Sequence, residues 1–99
     1  MLFATQLDEE VLVEELIDDT DLGDPAQLIV YNDDHNTFDW VIRCFIEILG
    51  HEHSQSEQLA LIIHTKGKAA VKEGPKKKLK PLKDGLIDRG LSAVIEEVK

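Results

Sequence analysis

Leu28-Ile29-Val30-Tyr31-Asn32-Asp33-Asp34-His35-Asn36-Thr37-Phe38-Asp39-Trp40 is the stretch that decides the reading of this chain. An apolar, β-branched run gives way to a polar turn and then to a helix that opens with two aromatics. Asn32, Asp33 and Asp34 place oxygen acceptors at a strand end, where a small cation such as an ammonium group finds partners. The apolar residues beside them can line a pocket, so the combination points to binding rather than bond breaking.

Downstream, Asn36 is expected to cap the first helix, with Asp39 three residues later in a capping-box-like arrangement. Trp40, Val41, Cys44, Phe45, Ile48 and Leu49 then recur at helical spacing, and Gly50 ends the helix. A second capping box, Ser54-Gln55-Ser56-Glu57, opens a helix through Leu59-Ala60-Leu61-Ile62-Ile63-His64, apolar enough that most of its circumference is expected to be buried. Gly67 closes it. Lys68–Lys72 reads as a short strand, and Gly74-Pro75 turns the chain. Pro81 is best tolerated in a first helical turn, so a third helix is expected from about Lys80, burying Leu82, Leu86 and Ile87 and stopping at Gly90. Leu91–Val98 alternates as a last strand. With Gln27–Tyr31 as the first strand, the order is β-α-α-β-α-β. The expected fold is α+β, a small, three-stranded, mainly antiparallel sheet with three helices on one face.

Upstream, the chain changes character. Residues 1–24 hold nine acids and no base, whereas residues 25–99 hold eleven of each, so the net charge of −9 belongs to the leader. Its acid pairs alternate with aliphatics, although Val13, Leu16 and Ile17 can share one face of a transient helix. Self-repulsion among like charges predicts a flexible acidic N-terminal extension over 1–24, ahead of one small domain over 25–99. The anionic balance disfavours nucleic acid and anionic membranes as partners. A single cysteine, Cys44, precludes an internal disulfide. No segment approaches the ~20 apolar residues of a membrane span, and no secretory signal is legible. These features read as a soluble cytoplasmic protein, and no heptad seam argues against a monomer.

Other chemistries find weaker support. His51-Glu52-His53, His35 and the aspartates match no structural zinc spacing, no phosphate-binding glycine loop is present, and neither Cys44 nor any serine has an evident activating base. Neither metal nor cofactor is therefore expected, and no enzyme activity. Eight of the eleven bases fall between Lys66 and Lys83, including Lys76-Lys77-Lys78. That run lacks interleaved aromatics, which suits a solvated helix face or a docking surface for an acidic partner better than a nucleic-acid site.

Val30-Tyr31-Asn32-Asp33-Asp34, the aromatic-bearing helix start, and His64-Thr65-Lys66-Gly67-Lys68 after two helices together resemble the ClpS adaptor family, over roughly residues 27–72 and loosely over the final strand. The resemblance implies a non-enzymatic adaptor. It would bind the free N-terminal residue of N-degron peptides and proteins starting with Leu, Phe, Tyr or Trp and deliver them to a Clp AAA+ unfoldase, ClpA-like or ClpC-like, and its protease. Asn32, Asp33, Asp34 and His64 would then receive the substrate α-amino group. Val30, Asn36, Phe38, Ala60, Ile63 and Leu91 would line the hydrophobic pocket, and the leader would engage the unfoldase. The chain departs from the family pattern in having Asn36 and Phe38 where Thr and Met are common, and Ala60 where a larger aliphatic is common. Lys68–Leu91 is also shorter and lacks the acidic helix start where unfoldase contacts usually lie. A structural interaction module resembling the C-terminal domain of the ribosomal stalk protein is the alternative, with a similar small plan and no use for an ammonium site.

Overall fold

The computed structural model describes residues 23–98. The elements are β1 (Pro25–Tyr31), α1 (Phe38–Leu49), α2 (His53–Lys66), β2 (Lys68–Pro75), α3 (Lys76–Asp88) and β3 (Ser92–Glu97), in the expected β-α-α-β-α-β order. β1 is the central strand of a sheet ordered β2-β1-β3, and both pairings are antiparallel. The flexible extension expected over 1–24 lies almost wholly outside the described residues.

Alternation along β1 sends Ala26, Leu28 and Val30 to one face, where they meet Val71 of β2 and Ala93 of β3. Phe45, Cys44 and Leu49 of α1, Ile63 of α2, and Leu79 and Leu86 of α3 close over them. Burial pushes the Cys44 thiol up, against the pull of the Arg89 guanidinium, so it stays protonated. Gly85 lets α3 approach α1, because a Cβ there would stand 3.2 Å from the Ile48 side chain.

β1 and β2 slip register between Leu28 and Ile29, leaving Val71 opposite no residue of β1. The carbonyl freed at this bulge lies 2.7 Å from the His51 ring Nε2, a hydrogen bond that ties the α1–α2 loop to the sheet. His51, singled out in the sequence as a conceivable metal ligand, therefore has a structural partner.

Several local expectations are corrected. The cap of α1 is Thr37, whose hydroxyl accepts from the Trp40 N–H at 3.1 Å, because the Asn36 side chain is engaged elsewhere. α2 begins at His53 after Glu52 and has no side-chain cap, so the Ser54 capping box does not form. Ser56 is fully buried instead, its hydroxyl without a partner among the described residues. Leu61 and Ile62 are 46% and 41% exposed, since α2 packs mainly on α1 and β2 and keeps its other side open. β1 starts two residues early, at Pro25, and β2 runs on to Pro75, its far end pairing with Pro25. α3 starts at Lys76, placing Pro81 in its interior. The extra turn buries Leu79, worth about 1.5–3 kcal/mol, against a cost of ~3 kcal/mol for an interior proline, whose missing N–H leaves the carbonyl of the exposed Lys77 without its helical donor. The buried stripe of α3 is consequently Leu79, Leu82 and Leu86, and Ile87 is 45% exposed.

Arg89 fastens the end of α3 to α1. Its guanidinium pairs with Glu47 and lies 5.8 Å from the centre of the Trp40 ring, and its carbonyl accepts from Trp40 Nε1 at 3.0 Å. The Arg89 hydrogen bond holds the Glu47 carboxyl below its usual value. The stabilisation from this pair is present above the ordinary glutamate range and is lost as pH falls through the lowered value.

Phe45→Ala should cost about 3–5 kcal/mol in urea unfolding, whereas Ile87→Ala should fall within about 0.5 kcal/mol of the parent. Equal costs would return Ile87 to the core.

Candidate functional site

Antiparallel pairing on both sides of β1 has a geometric consequence. The end of β1 at Tyr31 lies beside the first residues of β2 and β3, Tyr31 being paired with Lys68 and with Ser92. The last turn of α2, the last turn of α3 and the first turn of α1 therefore converge at one edge of the molecule. Two of the three ends are helix C-termini, whose carbonyls favour positive charge nearby.

Side chains and backbone lock the convergence. The Asn32 N–H donates to the Gly67 carbonyl at 2.9 Å, holding the end of α2, and with it His64, against the strand end. Asp33 organises the turn: its Oδ1 accepts from the backbone N–H of His35 (3.0 Å) and of Asn36 (3.2 Å). The Asn36 side-chain amide donates to both carboxylate oxygens, at 2.9 and 3.1 Å, and to the Gly90 carbonyl at 2.9 Å. The Ser92 hydroxyl donates to Asp33 Oδ2 at 3.4 Å. Gly90 takes φ +94°, a left-handed turn that lets the Gly90 and Leu91 N–H groups bond back to Ile87 (2.9 Å) and Leu86 (3.0 Å), ending α3 and starting β3.

A cavity of about 420 Å³ opens at this edge, large enough for an aromatic side chain. All ten residues singled out in the sequence line it: Asn32, Asp33, Asp34 and His64 on the polar side, with Val30, Asn36, Phe38, Ala60, Ile63 and Leu91 around them. Val30, Ala60, Ile63 and Leu91 are buried and form an apolar floor, while Phe38 is exposed at the rim. Asn32, Asp34 and His64 are exposed, and their side chains make no hydrogen bond to a described residue. Asp33, by contrast, already accepts from neighbours and serves as scaffold as much as acceptor. Tyr31 and Val41 also line the cavity and were not anticipated. Val41 was legible in principle, one helical turn after Phe38; the Tyr31 ring takes the Lys68 ammonium at 5.6 Å from its centre. Among the described residues no group of three or more His, Cys, Asp or Glu side chains could hold a metal ion, and no helix is long and apolar enough to cross a membrane.

The family model of "ATP-dependent Clp protease adaptor protein ClpS" matches residues 23–93. The chain belongs to the ClpS family. Members of this family are adaptors, not enzymes, and the match itself leaves the stalk-protein alternative without support. Among relatives, the ATP-dependent Clp protease adapter protein ClpS of Corynebacterium diphtheriae is 33% identical over 91 residues, 92% of this chain and 78% of that protein. Its counterpart in Corynebacterium aurimucosum is 32% identical over 73 residues, 74% of this chain and 66% of that protein. The solved structure of Agrobacterium tumefaciens ClpS2 bound to L-phenylalaninamide shares the fold, with a TM-score of 0.65 at 17% identity, covering 76% of this chain and 98% of that one.

Asp33→Ala should lower stability by about 1–2 kcal/mol in urea unfolding, comparable with loss of a helix cap, because it frees two backbone N–H groups and the Asn36 amide at once. Asp34→Ala should stay within about 0.5 kcal/mol. Equal effects of the two would remove the organising role from Asp33.

Proposed function

We propose that this protein is a monomeric, cytoplasmic adaptor that binds the free N-terminal residue of N-degron substrates, when that residue is Leu, Phe, Tyr or Trp, and delivers them to a ClpA-like or ClpC-like AAA+ unfoldase. The observation that carries the reading is the union, in one cavity, of an acceptor-rich rim and a buried apolar floor. A free α-amino group, which in an unstructured peptide titrates near ~7.7–8.0, offers positive charge and three donors, whereas an internal peptide bond offers one donor and no charge. Asn32 and Asp34 receive the ammonium group, with a ring nitrogen of His64 as third acceptor. Asp33 holds Asn36 and the turn beneath them. Leu, Phe, Tyr or Trp then enters over Val30, Ala60, Ile63 and Leu91, with Phe38 and Asn36 at the mouth.

The Agrobacterium ClpS2 structure supports the pairing, since phenylalaninamide joins a free α-amine to an aromatic side chain. The Corynebacterium relatives, as Clp protease adapters, support delivery to a Clp machine. Residues 1–22, which precede the strand that anchors the domain, are the part assigned to engage the unfoldase.

Fluorescence anisotropy with a peptide beginning in free Leu or Phe should show binding. N-acetylation should weaken it by at least roughly 10-fold, through loss of the charge and its charged hydrogen bonds, and replacing the first residue with Ala by roughly 10- to 150-fold. Asn32→Ala should abolish binding while leaving the urea midpoint unchanged. Removing residues 1–22 should preserve peptide affinity and abolish stimulated degradation. Equal binding of free and acetylated peptides would overturn the assignment.

A further inference from the structure

The charges in this chain are segregated, and the point where the segregated parts meet is defined. Gly23 packs directly on the start of α3, where a Cβ on it would stand 3.3 Å from the Lys76 Cβ, and the Asp24 carbonyl accepts from the Lys76 N–H at 3.0 Å. The chain preceding Gly23 therefore joins the domain at Lys76-Lys77-Lys78. These three lysines occupy the first turn of α3, at the positive end of its dipole, with no acidic residue in that turn and no side-chain cap. Such a turn is electrostatically incomplete.

Neighbouring acids compensate for part of it. Lys76 pairs with Glu97 at 3.1 Å, Lys80 with Asp84 at 3.1 Å, and Lys83 lies 3.9 Å from Asp84. Lys77 and Lys78 are exposed and make no ion pair with any described residue. Residues 1–22 contain Asp8, Glu9, Glu10, Glu14, Glu15, Asp18, Asp19 and Asp21, and no Lys or Arg. Chain geometry fixes Asp21 within about 8 Å of Gly23, Cα to Cα, and keeps Asp18 and Asp19 within about 20 Å. Tethering of this kind supplies an effective concentration in the millimolar range, enough to populate a contact that free peptides would make weakly.

We propose that the acidic segment 8–21 docks on the basic first turn of α3 of its own chain, with Lys77 and Lys78 as the principal receivers. α3 is 13 residues long, about 20 Å, and the docking turn lies at the end opposite Arg89 and Leu91, so the cavity stays clear. The clasp is ionic and partly exposed: it weakens with salt and yields to any other polyanion that reaches the same lysines. An extension assigned to engage a partner is thus held at a definite place on the domain until something competes for it.

The test uses the full chain, isotope-labelled, with a nitroxide on Thr5→Cys; the fully buried Cys44 stays unlabelled. The expected result is loss of the amide signals of Lys76 to Lys80, Leu82 and Lys83 at low salt, their recovery at about 0.5 M NaCl, and the same recovery in Lys77→Glu/Lys78→Glu, with the rest of the spectrum unchanged. Broadening confined to the residues just after Gly23, broadening of another surface, or broadening that neither salt nor the double charge reversal relieves would overturn the proposal. So would broadening of isotope-labelled chains by spin-labelled chains of natural isotope content in a mixed sample, since the segment would then dock on a second copy. Peptide binding is not read in any arm, so failure here leaves the proposed adaptor function untouched.

Discussion

The Asp33 carboxylate, with the Asn36 amide bridging it to the Gly90 carbonyl, is the constraint on which the site depends. A strand that ends in three polar residues has no reason of its own to stop in one conformation. Two backbone N–H groups and one side-chain amide converging on a single carboxylate supply that reason locally. The bond to Gly90 supplies it at long range, linking the start of α1 to the end of α3. Without it, the acceptors of the rim and the floor residue Leu91 would belong to independently mobile loops.

The rest of the domain delivers the ends to that lock. A sheet of three strands has one central strand, and pairing it antiparallel on both sides obliges three helix termini to meet at one edge. The tertiary ties all act on the same problem: Asn32 to Gly67 across the end of α2, Trp40 and Glu47 to Arg89 across the end of α3, His51 to the Val71 bulge. In a domain this small, which buries a modest share of its surface, such ties keep a cavity of several hundred Å³ open beside the core without collapse.

How much of this was legible in the sequence differs by scale. Element order and sheet plan follow from strand-like and helix-like periods, and the ten lining residues followed from the family resemblance. What failed was local. Asn36 looks like a helix cap because Asn caps helices in isolation; a carboxylate three residues back and a carbonyl 54 residues on take up its side-chain amide, and Thr37 takes the role. Pro81 looks like a first-turn residue until the burial of Leu79 is weighed against it. Leu61 and Ile62 look buried because composition counts apolar residues, whereas burial depends on how many neighbours the topology provides. In each case the tertiary surroundings, by a contact made or a neighbour lacking, override a sound local preference.

The same distinction bears on selectivity at the cavity. Ala60 sits on the floor and Phe38 at the rim, so the first enlarges the space a side chain enters and the second narrows the way in. Floor volume decides how large a side chain is accepted; a rim aromatic adds contact for planar side chains at offset or edge-on geometry and does little for a branched aliphatic. On the adaptor reading proposed above, the two positions therefore act on different steps: the space left by Ala60 bears on the size of the side chain that is seated, and the Phe38 ring bears on the side chain that passes the rim.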